Sequence, residues 1–165
     1  MKIIENKAEK VLSGLNIKSA PVDVFKIANE LGIMVRKAAS KKFSGLIFRK
    51  NETAFIAISS NESSVRQRFT VAHELGHYIM HPNKETFIEF RDNEENIKRD
   101  RNEIQANQFA AALLMPKKMI EKDVKTFEDM EVTENTIKIL ASKYDVSEQA
   151  MTYRLINLNL FNSDL

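Results

Sequence analysis

The five residues His73-Glu74-Leu75-Gly76-His77 constrain this chain more than any other stretch. Residues four apart on a helix sit one turn apart, with Cβ atoms about 5–6 Å from each other, so both imidazoles reach a common point. Glu74 is rotated by about 100° from His73 on the 3.6-residue period, which sets it beside that point, within reach of a water's proton. Two imidazoles that can share one zinc ion, with a carboxylate base alongside, are the chemistry of metal-assisted hydrolysis. The competing reading makes His73 and His77 core histidines with satisfied hydrogen bonds. Two such histidines and an adjacent acid on an apolar face would then need charge compensation from elsewhere.

The surroundings of the run predict a helix over residues 61–81, NESSVRQRFTVAHELGHYIMH. Ser63 or Ser64 suits the N-cap, no proline interrupts the stretch, and Pro82 stands where the helix should stop. Phe69, Ala72, His73, Gly76 and Ile79 or Met80 recur at helical spacing, which puts the histidines on the buried face. His81 continues the series, yet positions 73 and 81 are about 12 Å apart along a straight helix axis and no glycine lies between His77 and His81 to bend it. A last-turn histidine, favoured by the negative end of the helix, is the expectation for His81, with substrate contact as the alternative.

At 165 residues the chain is long enough for one domain, or one domain with a small appendage, around a real core. Charged residues make up 29% and balance to +2, which by itself points to no nucleic-acid partner. There is no cysteine, so no disulfide framework and no thiolate ligand; any zinc must be held by His and carboxylate. The opening MKIIENKAEK lacks the apolar core of a signal peptide, and the longest apolar run, 109–115, is too short to cross a bilayer. The expectation is a soluble, cytoplasmic protein with no membrane partner.

Along the chain, Ile4, Ala8, Val11 and Leu12 predict an amphipathic helix with Gly14 at its C′ position. A second helix is expected to start near Pro21 and Asp23, to bury Val24, Ile27, Ala28 and Leu31, and to end at Gly32. The period then changes. Ile33–Arg36, Gly45–Arg49 and Ala54–Ile58 are short, β-branched or aromatic, and separated by polar turns, which predicts a small antiparallel sheet. A peptide reaching a metal must be extended, and Ala54–Ile58 is the expected edge strand for it. Residues 83–102, dense in both signs of charge, are expected to be a loop.

The helix that follows carries Glu103, Ala106, Asn107, Ala110, Leu113 and Leu114 on one face, so an acid and an amide sit in an apolar stripe. Glu103 either pairs with Arg99 or Arg101 at the helix start or serves as a third ligand, since two His and one Glu leave a fourth position for water. Asn107, one turn on, suits a hydrogen bond to a ligating group. Tyr78 and His81 are close enough in sequence to touch a substrate.

The stretches PVDVFKIANELGI (21–33), RQRFTVAHELGHYIMH (66–81) and EIQANQFAAALLMP (103–116) resemble the ImmA/IrrE family of zinc metallopeptidases, in order and spacing, from about residue 8 to residue 160. The Arg-Phe pair before the histidines and the Ala-Asn-x-Phe-Ala-Ala-x-Leu-Leu-Met-Pro run after Glu103 make the likeness far more specific than the histidine spacing alone. The resemblance implies an α+β, zincin-like domain with one zinc on His73, His77 and Glu103, in the manner of gluzincins, and Glu74 as general base. Members of this family are intracellular proteases that cut helix-turn-helix repressors, often of mobile elements or stress regulons, and so derepress genes. The resemblance therefore implies such a repressor as the protein partner.

Residues 136–161 hold two helical patterns joined at Asp145-Val146, with Ser147 as N-cap of the second, and look like a helix-turn-helix. Lys138, Lys143 and Arg154 are offset by Glu134, Asp145 and Glu148, and a unit without net positive charge is a poor binder of phosphates. The expectation is a metallopeptidase domain over 1–128 and a helical extension over 129–165 that supports the protease or docks its target. The alternative of a different class is a non-proteolytic zinc-containing regulator or toxin-antitoxin partner acting by protein or DNA binding. Glu74 separates the two, because a structural metal site needs no base beside it.

Overall fold

A computed structural model describes residues 2–50, 53–82, 86–90, 101–127 and 132–161. The elements run α1 (Lys2–Gly14), α2 (Val24–Glu30), β1 (Ile33–Ala38), β2 (Phe43–Lys50), β3 (Thr53–Ser59), α3 (Ser64–Met80), β4 (Thr86–Phe90), α4 (Arg101–Leu114), α5 (Lys117–Val124), α6 (Glu134–Tyr144) and α7 (Glu148–Asn157). The class is α+β. Packing divides the chain into two units, Asp23–Ala110 and a second made of Met1–Val22 with Ala111–Leu165.

Helix boundaries follow local chemistry closely. Asp23 caps α2 by accepting from Lys26 N, and Leu31 with Gly32 at φ +72° ends it, so the helix begins after Asp23 rather than at Pro21. Ser63 is the cap of α3, its side chain accepting from Arg66 N. In α1 the left-handed turn falls at Asn16 (φ 55°) instead of Gly14, and Ile17 N returns to Leu12 O at 2.8 Å.

The sheet is four-stranded with order β1-β3-β2-β4, and it is mixed rather than antiparallel: β1 runs parallel to β3, while β2 is antiparallel to β3 and β4. β3 is therefore internal, which corrects the expectation that Ala54–Ile58 is an edge. Burial explains the order. Ala54, Ile56 and Ile58 are buried and Phe55 and Ala57 half-buried, so β3 is apolar on both faces and takes the interior. β1 is exposed at four of six positions and suits an edge. A second correction is β4, which lies within the stretch expected to be loop; Thr86, Phe87, Ile88 and Phe90 alternate weakly among charges but are β-formers able to extend the β2 ladder. α3 packs on β2 and β3 and covers the face that carries Ile47, Ile56 and Ile58.

The other unit is helical. α1 buries Ile4, Ala8 and Leu12; α5, α6 and α7 contribute Ile120, Val124, Leu140, Tyr144, Met151 and Leu155. Arg154, 4% exposed, donates Nε to Met115 O at 2.9 Å and grips Glu5 with both terminal nitrogens, at 2.5 and 2.9 Å. This fork, matched to a carboxylate, draws α1 into the same unit as α7. Through Glu5 the N-terminal helix is thus tied to a helix from the other end of the chain. The α6–α7 corner turns at Asp145 (φ 52°), where Val146 N reaches Ala141 O at 3.0 Å, and Ser147 caps α7. Among the described residues, no helix is long and apolar enough to cross a membrane.

Candidate metal centre

Two helices and one strand build the centre, and the residues they bring to it all fall within Asp23–Ala110. α3 presents His73 and His77 from successive turns, 1% and 2% exposed, with Glu74 between them at 1%. The helix α4 approaches α3 at Gly76. A Cβ there would lie 3.0 Å from both Cα and O of Ala106 and 3.3 Å from Phe109 Cβ, so only a glycine lets the two backbones come this close. That approach brings Glu103, one turn before Ala106 on α4, and Asn107, the residue after it, up to the imidazoles.

The polar atoms converge. His73 Nε2 and His77 Nε2 are 2.9 Å apart, and the Glu103 carboxylate places Oε2 at 3.1 Å from the first and Oε1 at 3.3 Å from the second. Ligand atoms of all three residues lie within 4.8 Å of one another. Asn107 Oδ1 is 2.9 Å from His73 Nδ1 and can only accept, so Nδ1 donates and the Nε2 lone pair of His73 is left facing the cluster. Burial lowers the pKa of His77, ahead of the opposing hydrogen bond that the ring gives to Glu103, and so disfavours the charged ring. Burial alone would raise Glu103, but the facing rings of His73 and His77 outweigh it and hold the carboxyl well below the usual carboxylate range. Two imidazoles and an ionised carboxylate, aimed at one point, bring electron pairs together. That set fits a divalent metal ion with mixed nitrogen and oxygen ligation, and the absence of cysteine leaves it free of thiolate.

Glu74 is held from the other side by the sheet. A Cβ on Gly45 of β2 would stand 2.7 Å from Glu74 Oε1 and 2.3 Å from Thr70 Cγ2, so β2 lies directly on the carboxylate. The β2–β4 register shifts between Phe43 and Gly45, a local irregularity beside the site that turns Ser44 toward Glu62, Oγ donating to Oε1 at 2.9 Å. Gly45 was not recognised from sequence, although a glycine inside a strand pattern marks close backbone approach. Arg49 was also missed, and no local pattern announces it. It donates to Tyr78 O at 2.6 Å and Pro82 O at 2.5 Å, carbonyls at and beyond the end of α3, and its guanidinium lies 4.2 Å from the Tyr78 ring centroid.

The residues expected near the site thus separate. His73, His77, Glu103 and Asn107 come together. Tyr78 instead stacks with Arg49. His81 is the C-cap of α3, its Nε2 3.3 Å from the Asn102 carbonyl and its ring 5.5 Å from that of His77, outside the three-residue ligand group.

Comparison with known proteins places this arrangement. The IrrE N-terminal-like domain family, Peptidase_M78, matches residues 28–156. Metallopeptidase ImmA of Bacillus subtilis (strain 168) is 26% identical over 141 residues, covering 86% of this chain and 79% of the relative. Uncharacterized immunity region protein 2 of Bacillus phage phi105 is 32% identical over 97 residues, 57% of this chain and 60% of its own length. A solved Mycobacterium tuberculosis transcriptional regulator superposes with a TM-score of 0.66 at 14% identity over 94% of this chain. This chain spans 46% of that regulator, so the likeness there is one of fold alone. With the match extending over most of its length, the chain belongs to the ImmA/IrrE family of metallopeptidases.

Proposed function

We propose that this chain is a zinc-dependent endopeptidase that makes a limited cut in an intracellular protein, a helix-turn-helix repressor, and thereby derepresses its genes. The observation that carries the reading is the convergence of His73 Nε2, His77 Nε2 and the Glu103 carboxylate beside the buried Glu74. In this reading His73, His77 and Glu103 hold one zinc and leave a fourth position open. Zinc bound there supplies Lewis acidity for the peptide carbonyl and a water acidic enough to react near neutral pH. Glu74 takes the proton of the attacking water and passes it to the leaving amine, so that one carboxylate serves as base and then as acid. Gly45, by lacking a side chain, lets β2 press on Glu74 and limits its rotamers. Asn107 fixes the tautomer of His73.

Two relatives supply the context for the substrate: one is named a metallopeptidase and the other an immunity region protein. We bring these to the present chain as proteolysis in repressor control, within the cytoplasm. A cut between the DNA-binding and dimerising parts of a repressor leaves half-sites bound too weakly to repress. The helix-turn-helix-like pair α6–α7 is read as a protein-docking or supporting part. Its one α7 cation, Arg154, is buried against Glu5, and the exposed positions Glu148, Gln149, Tyr153 and Asn157 offer no positive charge to phosphates.

The test mixes the purified chain, with zinc supplied, and the repressor encoded beside its gene, and follows fragments by mass spectrometry. A single chelator-sensitive cut that disappears in Glu74→Gln is expected. Release of an intact repressor from DNA, unaffected by Glu74→Gln, overturns the reading and leaves a binding antirepressor.

A further inference from the structure

β1 is a sheet edge, paired with β3 in parallel register from Ile33↔Ala54 to Ala38↔Ser59. In such a pair alternate residues point their N–H and C=O away from the partner strand. Among the described residues, no backbone hydrogen bond outside the sheet engages residues 33–37. The side chains leave this row accessible: Met34 is 51% exposed and Arg36, Lys37 and Ala38 are exposed. An open edge is a template for another strand unless something guards it, and charged side chains are the usual guard.

The guard here has one sign. Residues 31–50 contain Arg36, Lys37, Lys41, Lys42, Arg49 and Lys50 and no Asp or Glu, six positive charges in a chain whose net charge is only +2. Arg49 is engaged at the end of α3, while Arg36, Lys37, Lys41, Lys42 and Lys50 are exposed. Two copies of this edge set side by side would oppose like charges, which disfavours self-pairing. A nucleic acid would meet the cations but would also set phosphate oxygens against the outward carbonyls. An acidic polypeptide strand satisfies both features, offering N–H groups to the carbonyls and carboxylates to the cations.

We propose that the outer edge of β1, with Arg36, Lys37, Lys41 and Lys42, is an exosite that captures an acidic extended segment of the target protein by strand addition. Calling the captured protein a substrate rests on the proteolytic reading; the capture itself does not. β3 separates β1 from β2, the strand over Glu74, so the edge lies two strand spacings, about 10 Å, from β2. The segment held there is thus distinct from the bond being cut, and it supplies selectivity that a cleft recognising generic backbone lacks.

The test titrates the full-length chain carrying Glu74→Gln, zinc supplied, into a fluorescent ten-residue peptide alternating Glu with Val and Thr, read by anisotropy. Saturable binding is expected. It should weaken at least tenfold for Arg36→Glu/Lys37→Glu and at least tenfold for the same peptide N-methylated at every backbone nitrogen, and be unchanged by Lys138→Glu on α6. Circular dichroism confirms that each variant is folded. Equal binding of the N-methylated peptide overturns strand addition, and tenfold tighter binding of a 20-nucleotide DNA makes the edge a nucleic-acid surface. No peptide binding by a chain whose parent still cuts the repressor removes the exosite while the protease reading stands.

Discussion

Replacing each of two helical glycines by alanine should change stability in opposite directions, because their surroundings differ. At Gly14 nothing lies within 4 Å of the added Cβ, and no positive φ is involved. Gly14→Ala should therefore gain about 0.5–1 kcal/mol from the reduced freedom of the unfolded chain. At Gly76 the same gain of up to about 1 kcal/mol is available from helix propensity. Against it stand contacts of 3.0 Å with Ala106 Cα and O and 3.3 Å with Phe109 Cβ. Two of these atoms are backbone of α4 and cannot swing aside, so the helices must part by a few tenths of an ångström. Overpacking of this kind costs about 1–3 kcal/mol, which leaves Gly76→Ala destabilised by about 1 kcal/mol net. The same parting moves Glu103 and Asn107 away from the imidazoles. Ligand distances tolerate only about 0.2 Å, so zinc affinity should fall at least tenfold, about 1.4 kcal/mol. Urea unfolding midpoints of the metal-free proteins, compared at equal slope, report the first effect, and competition with a chromophoric chelator reports the second. If Gly76→Ala were as stabilised as Gly14→Ala and bound zinc like the parent, the close approach of α3 and α4 could not be what places the third ligand.

Three further outcomes are expected. Elemental analysis should find one zinc per chain in the parent, Glu74→Gln and His81→Ala but none in Glu103→Ala, and Asn107→Ala should bind zinc about 10–100-fold more weakly because His73 loses its tautomer lock; zinc loss in His81→Ala would mean that this ring joins the ligands. The metal-free protein should lose stability on acidification from pH 7 to 4. His77 has a lowered folded pKa, so the unfolded chain binds its proton first as pH falls through the ordinary histidine range; Glu103 is also lowered, and its contribution is lost as pH falls below the ordinary carboxylate value. Urea midpoints at successive pH values check this, and a midpoint that rises on acidification would contradict it. Arg154→Ala should destabilise by about 3 kcal/mol, since it strands Glu5 and the Met115 carbonyl; a loss under 1 kcal/mol in urea unfolding would mean that water replaces the guanidinium.

What could be read from sequence was what local chemistry determines. The i, i+4 imidazoles, the Ser63 and Ser147 caps and the stripe that aligns Glu103 with Asn107 each depend on neighbours within a turn or two. Strand order was not legible, because period-2 alternation says which face is buried but not which strand lies beside which. The parallel β1–β3 pair and the strand β4 arise from competition for the interior, which β3 wins by being apolar on both faces. Arg49 illustrates the remainder: nothing in its vicinity indicates that its guanidinium will close the end of a helix about thirty residues later.

The strand order also governs when the sheet forms. Lys50 and Thr53 are register partners, so β2 and β3 close as a local hairpin, a loop that costs little entropy. β1 joins only by pairing residues about twenty positions apart, Ile33 with Ala54 onward, after β3 has taken shape. An edge that docks after the hairpin should also open before it in the native state, and its amides should exchange with solvent well before those of β3. The strand that offers its free side to another chain is thereby less anchored than β3, able to adjust register to what it meets while the glycine-spaced helices that carry the histidines stay closed.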